Sequence, residues 1–188
     1  EGINIDLKEA AKYMKMAADS GHIAAMYDFG VMIYKGKGVE KDINESCKYI
    51  KMAADNGDVV SMFEYGLFNF YGEGIPVNKE KACEYFKKAA DLGNTKAMYE
   101  FSLMLKNGDG IQIDIKEAAK YMKMSADGGE LNAINNYASM LACGDGVEMD
   151  KKEACKYFKD AADKGLASSM YNYGKMLAYG DGIPKNIK

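Results

Sequence analysis

An all-α fold of stacked helix pairs is what this 188-residue sequence predicts. A Gly-x-Gly-Val/Ile motif returns every 36 residues, starting at Gly36, Gly72, Gly108, Gly144 and Gly180. Each interval holds two stretches whose small and apolar residues follow the spacing of a helix, not the alternation of a strand. β-Branched residues are too few and too scattered for strands. A fixed period sustained along the whole chain marks a repeat array, in which every unit solves the same packing problem. Five 36-residue helix–turn–helix units follow. No linker or low-complexity segment interrupts them, so one continuous domain over 1–188 is expected.

The first helix of each unit is expected at 7–19, 43–55, 79–91, 115–127 and 151–163. In the first copy its inner positions are Ala10, Tyr13, Met14, Ala17 and Ala18. Asp6, Asp42, Asn78, Asp114 and Asp150 stand where an N-cap belongs, since a short polar side chain can accept from the free amides of the first turn. Glu9, Glu45, Glu117 and Glu153 follow three residues on and predict capping boxes in four copies; Lys81 breaks the third. Gly21, Gly57, Gly93, Gly129 and Gly165 follow the helix as left-handed C-terminal caps.

The second helix is expected at 23–35, 59–71, 95–107, 131–143 and 167–179. Ala25, Met26, Phe29, Gly30 and Met32 mark its packed side. Gly30, Gly66, Ser102, Ala138 and Gly174 share one position, and all are small. An internal glycine costs a helix about 1 kcal/mol, so close approach of a neighbouring helix is the expected return. After this helix comes the Gly-x-Gly joint, with Val39, Ile75, Ile111, Val147 and Ile183 as the apolar contact that pins it.

The joint superficially resembles two ligand loops and fits neither. A phosphate-binding glycine loop follows a strand and opens a helix directly; this motif follows a helix and carries Glu73, Asp109, Asp145 or Asp181 between its glycines. A calcium loop aligned on Asp145-Gly146 puts Leu141 and Lys152 where its first and twelfth oxygen ligands belong. No metal or cofactor is expected. His22, the one histidine, falls at a loop position taken elsewhere by Asp58, Asn94, Glu130 and Leu166, so no catalytic set forms around it and no enzyme is expected.

The formal net charge of −3, with 28% of residues charged, suits an ordinary domain with a substantial core. Nucleic-acid binders usually carry a basic excess, so nucleic acid is not expected as a partner. No run approaches the ~20 apolar residues of a membrane span, and no direct membrane insertion is expected. Lys15, Lys51, Lys87, Lys123 and Lys159 form a row that reads as a solvated face balanced by Asp19 and its equivalents.

Cys47, Cys83 and Cys155 share a position with Ala11 and Ala119, which makes it a small packing site. Neighbouring copies of it should lie ~8–10 Å apart, beyond the ~7 Å that a disulfide spans. Free thiols suit the cytoplasm or another reducing compartment. Glu1 is not an initiator Met, and Glu1-Gly2-Ile3 reads as the inside of a repeat, so a fragment of a longer chain is expected.

The stretch KEACKYFKDAADKGLASSMYNYGKMLAYGDGI strongly resembles the Sel1-like repeat, a relative of the tetratricopeptide repeat. The matching residues are Ala154, Tyr157, Ala161-Ala162, Gly165, Tyr173-Gly174 and Gly180-Asp181-Gly182-Ile183, and the pattern returns in every copy. Departures are small for small: Ser125 for alanine, Ser102 and Ala138 for glycine. Some secreted members carry a disulfide within each repeat; this chain lacks the second cysteine for one. The resemblance implies a right-handed α/α superhelical solenoid that holds other proteins, with the second helix of each pair lining its concave side.

On that side, helical spacing groups Tyr27, Val31 and Tyr34, then Phe63, Leu67 and Phe70, then Tyr99, Leu103 and Lys106. Asn135, Ser139 and Ala142 follow, then Tyr171, Lys175 and Ala178. Aromatics in a solvated groove suit protein anchors; the same rings can also pack between adjacent repeats. The candidate groove residues are Tyr27, Val31, Tyr34, Phe63, Leu67, Phe70, Tyr99, Leu103, Lys106 and Tyr171. The expected function is a non-enzymatic scaffold or adaptor that binds a protein or peptide on this face. Two alternatives stand beside it: a regulatory or targeting segment of a larger enzyme or ubiquitin-ligase complex, and a repeat element that self-associates end to end.

Overall fold

The computed structural model describes residues 5–182, which form helices and turns with no strand among them. The first helices of the pairs are α1 Leu7–Asp19, α3 Ile43–Asp55, α5 Lys79–Asp91, α7 Ile115–Asp127 and α9 Lys151–Asp163. The second helices are α2 Ile23–Lys35, α4 Val59–Tyr71, α6 Thr95–Asn107, α8 Leu131–Cys143 and α10 Ala167–Tyr179. These are the bounds that caps and periodicity predict. Gly2, Ile3, Ile183 and Asn186, which also figure in the repeat pattern, lie outside the described residues. The helices group into two compact units, α1–α5 and α6–α10, divided between Asn94 and Thr95.

Local chemistry sets the helix ends. The carboxylates of Asp6, Asp42, Asp114 and Asp150 and the amide oxygen of Asn78 each accept from the backbone three residues on. The second arm of the expected capping box is a correction. At Asp114 and Asp150 the cap's own N–H donates at 3.0 and 2.9 Å to Leu105 and Leu141 O of the preceding helix, so Glu117 and Glu153 do not receive it. Asn78 does the same with Asn69 O at 2.8 Å. The cap thereby ties one repeat to the last, a tertiary use of an amide that a local motif reserves for itself. At the other end, Gly21 N–H donates to Ala18 O and His22 N–H to Ala17 O, with Gly21 at φ +94°. That is a Schellman motif, and it recurs after α3, α5, α7 and α9.

In the first unit, α2 packs on α3 and α4 on α5 through the shared small position. A Cβ on Gly30 would sit 2.8 Å from Ile50 Cδ1, and one on Gly66 would sit 2.5 Å from the Phe86 ring. Beside these contacts Phe29 meets Tyr49 edge-on at 4.8 Å, and Tyr65 meets Tyr85 at 4.7 Å. Such pairs add about 0.5–1.5 kcal/mol beyond their buried area. Tyr49 OH then donates to Asp19 at 2.9 Å, and Tyr85 OH donates to Asp55, so the ring also pins the helix one repeat back.

The second unit repeats the device. Phe101 meets Tyr121 at 4.8 Å and Tyr137 meets Tyr157 at 5.1 Å. Tyr157 OH donates to Asp127 at 3.1 Å. Ser102 takes the glycine position and donates its hydroxyl to Ala118 O at 2.7 Å, so a polar side chain fits between the helices without an unmet bond. Val147 packs from the joint onto this core, as Val39 does onto the core of the first unit. Cys47, Cys83 and Cys155 are buried, and burial pushes the first two thiols up to about 11; Cys143 is exposed.

Candidate partner-binding cleft

In the first unit α2 and α4 border a cleft of about 320 Å³ whose floor includes Ile50 of α3. Positions i, i+4 and i+7 of α2 put Tyr27, Val31 and Tyr34 on one wall. Leu67, Phe68 and Tyr71 of α4 form the other. Glu64, Glu73 and Lys35 supply its charge. Tyr34 OH donates to Glu73 at 3.0 Å, and Lys41 Nζ lies 5.5 Å from the Tyr34 ring centre. Burial pushes the Tyr27 phenol up, with the fields of Glu64, Asp58 and Asp28 adding to it. The Tyr34 phenol is raised chiefly by its bond to Glu73.

Of the six groove residues predicted in this unit, the structure brings Tyr27, Val31, Tyr34 and Leu67 together. Phe63 and Phe70, the repeat equivalents of Tyr27 and Tyr34, do not line this cleft. Phe63 and Phe70 lie against Phe86 of α5, with ring centres 5.7 and 6.4 Å away, and Lys79 Nζ sits 5.4 Å from the Phe70 ring.

In the second unit Tyr99 and Leu103 are half-buried against the core. Asn136 donates to Tyr99 OH at 3.3 Å, and Lys106 pairs with Asp145 at 2.8 Å. Tyr171 is 67% exposed, with Lys175 Nζ 5.5 Å from its ring centre. A shallower recess of about 310 Å³ lies among Ser139, Ala142, Lys151, Asn172, Lys175 and Asp181. Asn172, which lines it, and the buried Ser169 both donate to Asn135 Oδ1, at 3.2 and 2.9 Å. None of the four groove residues predicted in this unit lines the recess.

Sequence reasoning overlooked Glu64, Phe68, Tyr71 and Glu73. Glu73 is the middle residue of a Gly-x-Gly joint and reads there as part of a turn. A usable signal exists in the offset: Tyr34–Glu73 and Lys106–Asp145 are both 39 residues apart, one repeat plus three. The last turn of a second helix thus reaches the acid in the joint of the next repeat. His22 has a structural post, since its Nδ1 accepts from Ala25 N–H at 3.2 Å and caps α2. The lysine row is matched by acids: Lys15–Asp19, Lys87–Asp91, Lys123–Asp127 and Lys159–Asp163 pair at 2.5–2.7 Å, and Lys51 pairs with Asp55. Among the described residues no cluster of His, Cys, Asp and Glu could hold a metal ion. No helix there is long and apolar enough to cross a membrane.

The Sel1 repeat family profile matches six segments, residues 1–22, 23–58, 59–94, 95–130, 131–166 and 167–188. Among solved structures, a Sel1 repeat protein from Oxalobacter formigenes is 32% identical with a TM-score of 0.81, covering 93% of this chain and 71% of its own. A protective antigen of uropathogenic Escherichia coli strains, described as displaying an SLR fold, superposes with a TM-score of 0.91 at 24% identity. That likeness covers 96% of this chain but 39% of the E. coli protein, so this chain spans about two fifths of its length. The cysteine-rich protein B of Helicobacter pylori matches 69% of this chain and 96% of its own, with a TM-score of 0.53 at 20% identity. No curated protein matches the sequence.

Proposed function

The chain belongs to the Sel1-repeat family, and on that premise we propose that it is a scaffold whose second helices hold a segment of a partner protein. Sel1-repeat proteins are generally protein-interaction scaffolds and typically non-enzymatic. The observation that carries the finer reading is the cleft between α2 and α4. It gathers four of the residues that vary between repeats into one apolar, aromatic recess, the composition of a protein-anchor pocket. The reading takes 1–188 as one continuous repeat domain and puts the partner on the concave face that the second helices line. A negative formal charge favours a protein over a nucleic acid as partner. The four free cysteines suit a reducing compartment such as the cytoplasm.

The test is a chain carrying Val31→Ser and Leu67→Ser together. Both side chains are half-buried, so the fold should keep its circular dichroism and melting curve. A partner captured from source-cell extract is identified, purified and titrated by calorimetry. Each apolar anchor is worth about 1.5–3 kcal/mol when fully covered, so Kd should rise tenfold or more. An unchanged Kd with the fold intact overturns the assignment of this cleft.

A further inference from the structure

We infer that the recess between α8 and α10 is a second binding site, which takes a glutamate side chain of a partner segment against Lys175 and Asn172. It lies wholly in the second unit and does not depend on the α2–α4 cleft. The two depressions occupy the same place in the repeat. Ser139, Asn172, Lys175 and Asp181 stand three repeats after Val31, Glu64, Leu67 and Glu73. The chemistry at three of these positions differs. Val31 gives way to Ser139, the acidic Glu64 to the neutral Asn172, and the apolar Leu67 to the cationic Lys175.

Charge inside this recess does not cancel. Tyr34 and Lys106 each cross to the acid in the joint of the next repeat. Ala142, at the same position, is too short to do so, and Asp181 pairs with Lys151 instead, at 3.1 Å. That leaves Lys175 as the uncompensated cation of the lining. Its Nζ lies 5.5 Å from the Tyr171 ring centre, and no carboxylate pairs with it among the described residues. Asn172 stands three residues before Lys175, on the same face of α10. Its amide is aimed by the bond to Asn135 Oδ1, which uses one of its two N–H groups and leaves the other for a ligand. Phe158 and Met176, both buried, form an apolar floor. Glutamate matches this set: its methylene stem lies over the floor, and its carboxylate accepts from the Lys175 ammonium and the Asn172 amide as charge-assisted bonds. A lysine in that place would meet Lys175 and be repelled. The recess is shallow, so it holds one side chain and leaves the rest of the segment to run along the second helices.

The experiment uses three fluorescein-labelled peptides read by polarisation at low salt: Ser-Glu-Ser-Glu-Ser-Glu-Ser and its analogues with glutamine or lysine in place of every glutamate. The formal charge of −3 on the chain opposes an acidic peptide, so a preference for one has to come from a local site. The glutamate peptide should bind about fivefold or more tighter than its near-isosteric glutamine analogue, and the lysine peptide should bind most weakly. Added salt should narrow these ratios. Lys175→Gln should remove the preference. Lys12→Gln, the same change of net charge at an exposed lysine of the first unit, should leave it intact. A second readout reports on the place. Cys143 is exposed and lines the recess, whereas Cys47, Cys83 and Cys155 are buried. Saturating glutamate peptide should therefore slow alkylation of Cys143 by iodoacetamide about threefold or more, followed by mass spectrometry. Equal binding of the glutamate and glutamine peptides, or no binding of the glutamate peptide at millimolar protein, would overturn the inference. So would a preference that survives Lys175→Gln or falls equally in Lys12→Gln, or alkylation of Cys143 that the peptide does not slow. Val31→Ser with Leu67→Ser should leave this binding unchanged. Its loss there would put the peptide in the α2–α4 cleft, which would end this inference and support that cleft as a peptide site.

Discussion

Replacing Gly146 by alanine should destabilise the chain by about 2–5 kcal/mol, while Gly129→Ala should cost only about 1–2 kcal/mol. Both glycines have positive φ, +73° and +90°. An L side chain is strained there by about 1–2 kcal/mol, so backbone conformation alone predicts similar losses. Space separates them. A Cβ on Gly129 would meet nothing within 4 Å, whereas one on Gly146 would sit 2.2 Å from Ile115 O and 2.9 Å from Ile115 Cγ2. The obstacle is the backbone at the start of α7, and it cannot swing aside as a side-chain tip can. Moving it adds the about 1–3 kcal/mol typical of overpacking. The smaller unfolded-state entropy of alanine offsets both substitutions alike and cancels in the comparison. Denaturant melts of the two variants, followed by circular dichroism, measure the difference directly. Equal losses would mean that the second glycine of the joint is required for its torsion alone.

That contrast explains why the joint recurs so faithfully. Its first glycine ends the second helix, and its second lets the loop lie on the opening turn of the first helix of the same repeat. The same approach is seen at Gly38 against Leu7 O, and at Gly182 against Lys151 O. Val147 then reaches the core, and the cap at Asp150 closes onto Leu141 O.

The helices were legible because local rules decide them. Cap side chains, glycines at the ends and a 3.6-residue period act within a few residues, and five copies average out the noise of any one. Which residues close a recess around a half-buried ring is a different kind of quantity. Phe63 and Phe70 occupy the repeat positions of Tyr27 and Tyr34, and Phe86 beside them stands where Ile50 stands on the cleft floor one copy earlier. The face follows from the repeat, but the side chains that complete the recess come from neighbouring helices and differ in each copy. Glu64 and Glu73 escaped notice for the opposite reason: each looks ordinary in its own repeat, and only the fold carries it to a neighbouring helix. The capping-box glutamates show the same limit, since the amide they were expected to bind is taken by a carbonyl nine residues upstream.

Phe86→Ala should cost the first unit about 3–5 kcal/mol, the range for deleting a buried aromatic side chain. Phe86 has no exposed surface. It touches three residues of α4 at once, lying against Phe63 and Phe70 and filling the space left by Gly66. α4 also carries Leu67 and Phe68 to the cleft, so the ring that seats α4 also positions one wall of the cleft. A second substitution separates packing from mere loss of volume. Gly66→Ala improves helix propensity by about 1 kcal/mol, but in the wild-type chain its Cβ would meet the ring at 2.5 Å. There it should destabilise; in the Phe86→Ala background, with the ring gone, it should stabilise by about 1 kcal/mol. Denaturant melts of the four chains close this cycle. A coupling of at least about 1 kcal/mol is expected, because the pair shares one contact. Additive effects would show that Gly66 is not held small by Phe86, and that the close approach of α4 and α5 has another cause.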